Sequence, residues 1–180
     1  MNAANKLTML RIFMIPLFLV FLLIDIVPGG RYIAIGIFVV AALTDALDGY
    51  IARSKNLITK FGKFLDPVAD KLLVCAALVA LVELSILPSW VVILIISRDF
   101  ILMTFRMVAS SENVVIAADN IGKIKTLLQM VMIVYLLFSF TQPPLILLGN
   151  VLIGLVVFLT ILSAGGYILK NRSVLIPDRS

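Results

Sequence analysis

Apolar residues run along this chain in six blocks, at about residues 7–27, 32–52, 64–86, 88–109, 122–141 and 145–168. Each block matches the roughly 20 residues that a helix needs to cross a bilayer at about 1.5 Å per residue. Breakers separate most of them: Pro28-Gly29-Gly30, Pro88, and Gln142-Pro143-Pro144. The other two junctions, near 53–63 and 106–123, are polar and basic. Short connections predict antiparallel neighbours. The expected fold class is therefore all-α, an integral membrane protein with six transmembrane helices in one bundle, and residues 1–180 form a single membrane domain.

Composition supports this and narrows the chemistry. The chain is 62% hydrophobic and only 14% charged, with a mean hydropathy of +1.17, well outside the range of an ordinary soluble domain. It has no histidine, which excludes imidazole bases, Ser-His-Asp triads and histidine metal sites. Acid–base or metal chemistry falls to carboxylates. The single cysteine, Cys75, lies in the apolar run KLLVCAALVALV and reads as a packing residue. The N-terminal run has no A-x-A-like exit and is followed by further apolar blocks, so it reads as a retained first helix rather than a signal peptide. Its start, ANKLTMLRIF, suits either an interfacial segment that guides a lipid or a plain anchor.

Lys and Arg set the orientation. With six spans, Lys6, Arg11, Arg53, Lys55, Lys60, Lys63, Arg106, Lys123, Lys125, Lys170, Arg172 and Arg179 collect on one side, and Arg31 stands on the other. Both termini are expected on the cytoplasmic face of the cell (inner or plasma) membrane, in a multi-pass arrangement. A basic face of this kind meets anionic headgroups or phosphorylated substrates. Nucleic acid is not an expected partner, because the cations are scattered at helix ends without aromatic interleaving.

Against this background one stretch stands out, DALDGYIARSKNLITKFGKFLDPVAD, which holds four of the ten acidic residues. Asp45 and Asp48 are three apart near the end of the second helix, and Asp66 and Asp70 are four apart near the start of the third. Each spacing keeps a pair on one face of its helix. Two helices joined by a short basic link can bring all four carboxylates together. Like charges that close require cations, and an all-oxygen ligand set suits Mg²⁺ or Mn²⁺. Two such ions would clamp the attacking and leaving oxygens of a phosphoryl displacement. Intramembrane ion pairing with Arg53, Lys63 and Lys71 is the alternative. Gly49, Ala52 and Gly62 add small residues to the same faces, which serves either ligand clearance or close helix packing. An ion path through the membrane is a further alternative, although the acids lie near one face only.

The stretch resembles the CDP-alcohol phosphotransferase family, whose signature D-x-x-D-G-x-x-A-R-x(8)-G-x-x-x-D-x-x-x-D it reproduces at all eight fixed positions. The resemblance implies that Asp45, Asp48 and Asp66 ligate divalent metal and that Asp70 both contacts metal and deprotonates the acceptor alcohol. It also implies that Asp48, Gly49, Ala52, Arg53 and Gly62 accommodate the donor, CDP-diacylglycerol, through its cytidine diphosphate. A membrane homodimer is implied as well.

The acceptor is a separate question. Downstream, SRDFILMTFRMVASSENVVIAADNIGKIKTLLQM gathers Arg98, Arg106, Lys123 and Lys125 near the ends of the fourth and fifth blocks. Such cations suit a phosphate dianion, or anchor the helices at the basic face, and Arg98 next to Asp99 suits an internal ion pair. The stretch is similar to the R-[ED]…R…GKxKTxxQM of family members that use glycerol 3-phosphate, and NKLTMLRIFMIP resembles their N-terminal N-x-L-T-x-x-R-I…P. The expectation is transfer of a phosphatidyl group to glycerol 3-phosphate. Phosphatidylglycerol, serine or inositol phosphate are the alternative acceptors.

Overall fold

A computed structural model describes the backbone of residues 3–24, 26–55, 60–111 and 120–170, and the side chains of 9–24, 26–44, 68–69, 71–107 and 120–167. Among the described residues there are six helices: α1 (Ala3–Leu23), α2 (Gly30–Lys55), α3 (Lys60–Glu83), α4 (Ser89–Ser111), α5 (Asn120–Leu137) and α6 (Pro143–Lys170). Each apolar block holds one of them. The second junction is shorter than expected: Arg53, Lys55, Lys60 and Lys63 are helical, and only 56–59 separate α2 from α3. Ala, Arg and Lys are good helix formers, so both helices continue past the apolar run into the signature.

Turn chemistry explains the breaks. Gly29 adopts φ +80°, and a Cβ on Gly30 would stand 2.9 Å from the Phe21 carbonyl oxygen, so two glycines let α2 start close against α1. At the end of α3, Ser85 takes φ 57°. The Ile86 amide donates to the Leu81 carbonyl at 2.9 Å and the Ser85 amide to Val82 at 2.9 Å. This is the Schellman arrangement with serine in the left-handed position, and Pro88 follows it. The α5–α6 turn is tied by the Tyr135 hydroxyl, which donates to the Leu145 carbonyl at 2.8 Å.

The chain divides into two compact units, Met1–Leu87 with Leu136–Ser139, and Pro88–Tyr135 with Phe140–Ser180. In the first, α1 packs on α2 and α3, and α2 also meets α3. Its core joins Phe18 of α1, Phe38 of α2, and Leu73, Leu78 and Leu81 of α3, with the Phe18 and Phe38 rings 5.7 Å apart. Small residues at Ala34, Ala41, Ala69 and Ala77 are fully buried, which allows close backbone approach.

The second unit is inverted relative to a soluble protein. On α5, Lys125 is 0% exposed while Leu127 is 69% exposed. On α6, Thr160 and Ser163 are buried and Leu147, Phe158 and Ile161 face outward. Their hydroxyls are satisfied within the helix, by the carbonyls of Val156 at 2.6 Å and Thr160 at 3.1 Å. Apolar groups outside and polar groups inside suit a hydrocarbon solvent. Among the described residues two helices are long and apolar enough to cross a membrane by length and composition, Asn120–Leu137 and Pro143–Tyr167, with shorter apolar helices at Met9–Leu23 and Gly30–Thr44.

Candidate active site

The signature lies on two helices that pack together in the first unit. Asp45, Asp48, Gly49, Ala52 and Arg53 fall on α2, and Gly62, Asp66 and Asp70 on α3. Their side chains lie outside the described residues, but the helical register places the positions. On α2 the buried stripe Ala34, Phe38, Ala41 continues in steps of three and four to Asp45, Asp48 and Ala52. On α3 the buried stripe Leu73, Ala69 continues backward to Asp66 and Gly62, and Asp70 is one turn before buried Val74. Steps of three and four hold one helix face. The acidic positions thus extend the stripes along which these helices bury their core residues. Four carboxylates in that register have the donor chemistry for a hard divalent cation. Among the described residues no group of three or more Asp, Glu, Cys or His side chains comes together.

The four downstream cations belong to the second unit, and the structure treats them differently. Lys125 is fully buried, with its Nζ 2.6 Å from Asp99 Oδ1. Arg98 donates to the same oxygen through Nη1 at 3.0 Å, and its side chain is 12% exposed. Lys123 is exposed. Arg106 is also exposed and lies over the Tyr167 ring at 5.9 Å from its centroid, within cation–π range. Two cations thus meet one carboxylate oxygen. Breaking a buried pair of this kind costs about 3–5 kcal/mol, because one charge is left without compensation.

Three features escape a reading by residue type. Arg11, assigned above to the basic rim, is 1% exposed inside the first unit. Asp99 pairs across 26 positions with Lys125, as well as with its neighbour Arg98. Gln129, one turn beyond Lys125, is 2% exposed and its Oε1 has no hydrogen-bond partner. One signal was available: Gly122, Lys125 and Gln129 follow one another at steps of three and four, so they share one face of α5. A Cβ on Gly122 would stand 3.4 Å from Arg98 Nη2, which places that face against α4.

Known proteins resemble this chain along most of its length. The chain is 38% identical to a CDP-diacylglycerol–glycerol-3-phosphate 3-phosphatidyltransferase of Bacillus subtilis, covering 97% of both chains. It is 36% identical to a protein of the same name in Rickettsia bellii, over 92% of this chain and 93% of the relative. A CMP-forming cardiolipin synthase of rice is 44% identical over 126 residues, which span 62% of this chain and 38% of that protein. The profile for CDP-alcohol phosphatidyltransferases matches residues 1–162. A complete signature on two packed helices, collinear with these relatives over nearly its whole length, makes the chain a member of the CDP-alcohol phosphatidyltransferase family.

Proposed function

We propose that this protein transfers the phosphatidyl group of CDP-diacylglycerol to glycerol 3-phosphate, producing phosphatidylglycerophosphate and CMP in phospholipid biosynthesis. The observation that carries the reading is its full-length kinship with relatives named for that reaction. The enzyme is a multi-pass protein of the cell membrane, with both termini and the active site on the cytoplasmic face and a homodimer as the working unit. The inverted burial of α5 and α6 and the one-sided distribution of Lys and Arg support that placement.

Each group of residues then has a task. Gly49, Ala52 and Gly62 leave room for the cytidine diphosphate, and Arg53 pairs with its charge. Asp45, Asp48, Asp66 and Asp70 would hold Mg²⁺ or Mn²⁺, two ions in all, which when bound supply charge neutralisation for the diphosphate and the departing CMP. Asp70 accepts the proton of the acceptor's terminal hydroxyl. That oxygen forms a bond to the lipid-side phosphorus, and the bond from this phosphorus to the CMP oxygen breaks. Arg98, Arg106, Lys123 and Lys125 supply the positive field that holds the acceptor's own phosphate.

Purified protein in lipid, given CDP-diacylglycerol, labelled glycerol 3-phosphate and Mg²⁺, is expected to release CMP and form phosphatidylglycerophosphate in equal amounts. The similarity to the rice cardiolipin synthase makes phosphatidylglycerol the acceptor to test beside it. Cardiolipin as the dominant product by mass spectrometry would overturn the assignment. In the same assay Lys123→Ala is expected to raise the KM for glycerol 3-phosphate about tenfold, since a hydrogen bond to a charged group contributes about 1.5 kcal/mol or more. The KM for CDP-diacylglycerol should stay put, and an equal rise in both would remove Lys123 from the acceptor site.

A further inference from the structure

Arg98, Arg106, Lys123 and Lys125 do not have equivalent freedom to meet a ligand. Lys125 is fully buried behind Asp99, with its Nζ 2.6 Å from Oδ1. Arg98 is held at one corner only, by Nη1 at 3.0 Å from that oxygen. Its Nε is buried without a hydrogen-bond partner. Its Nη2 lies beside Gly122, where an added Cβ would sit at 3.4 Å. The Nε and Nη2 hydrogens form one edge of the planar guanidinium, the edge that binds phosphate with two parallel hydrogen bonds. Asp99 grips the opposite side. Among the described residues of this unit Asp99 is the only carboxylate, and a buried carboxylate needs a counter-charge to remain ionised there. Lys125 provides one.

We infer that Asp99 and Lys125 are positioning residues, which act through Arg98 by turning its Nε/Nη2 edge beside Gly122 toward the phosphate of the acceptor. This rests on the proposed function and narrows it. Arg98 meets the phosphate, and Lys125 stands behind the carboxylate that aims it.

Single substitutions in the pair strand a buried charge and can unfold the protein. The informative variant replaces both, Asp99→Leu with Lys125→Met, because it removes one charge of each sign and leaves the local net charge unchanged, and apolar exchange of both partners of a buried pair is usually tolerated. In the full-length protein in lipid, the pair variant is expected to melt within a few degrees of the native chain. Its KM for glycerol 3-phosphate should rise roughly tenfold or more, with kcat within about threefold and the KM for CDP-diacylglycerol unchanged. Arg98→Lys keeps the charge but loses the fork, and it should give a similar rise. Combining Arg98→Lys with the pair variant should add little, as for residues that act as one unit. A pair variant whose KM stays within about twofold of native, or effects that multiply in the combination, would overturn the inference.

Binding of inorganic phosphate, read by calorimetry, separates this inference from the reaction assigned above. Phosphate binding that weakens in both Arg98→Lys and the pair variant supports the aimed guanidinium even if no phosphatidylglycerophosphate is formed. Normal product formation with phosphate affinity unchanged in both variants overturns the inference and leaves the function standing.

Discussion

Asp70→Asn is expected to lower kcat by roughly a thousandfold, within the range of about 10²–10⁴ that a positioned general base contributes. Affinity for CDP-diacylglycerol should change by no more than a few-fold. The change keeps the shape of the side chain but removes the carboxylate proposed to take the hydroxyl proton. It sits on α3 one turn beyond Asp66 and one turn before buried Val74, within a helix whose core residues are unaltered, so the fold should persist. Because Asp70 is also assigned a share of the metal, the assay is run across a Mg²⁺ titration. Turnover restored at high Mg²⁺ would mark Asp70 as a ligand alone. Turnover near native at ordinary Mg²⁺ would remove it from both roles.

Stripping divalent ions is the second large effect. With exhaustive EDTA the rate is expected to fall below detection and to return on addition of Mg²⁺ or Mn²⁺. The physical reason is the acidic register of α2 and α3. Four carboxylates brought together on these faces would repel one another and the diphosphate of the donor, and like charges that close call for cations. A steeper than first-order dependence on metal would accord with two ions. Full activity after chelation would overturn the metal assignment and favour ion pairing of the aspartates with Arg53, Lys63 and Lys71.

Much of the architecture was legible in the spacing of apolar blocks and turn residues. Six apolar blocks became six helices, and Pro28-Gly29-Gly30 and Pro88 marked breaks where the backbone turns. The limits moved where propensity and hydropathy disagree: α2 runs to Lys55 and α3 starts at Lys60, since a helix does not stop where its side chains become polar. The left-handed Ser85 that closes α3 carries no glycine to announce it.

The sequence by itself determined the family signature and its spacing. Its eight fixed positions are local, and on any helix steps of three and four place them on common faces. Only the tertiary structure decided among the cations. Lys123 and Lys125 are two residues apart, about 200° around the helix, and one is exposed while the other is buried against a carboxylate 26 positions away. Residue type and spacing are the same for both. Which of them is consumed by an ion pair depends on the face that α5 turns toward α4, and that face is set by packing between segments distant in the chain.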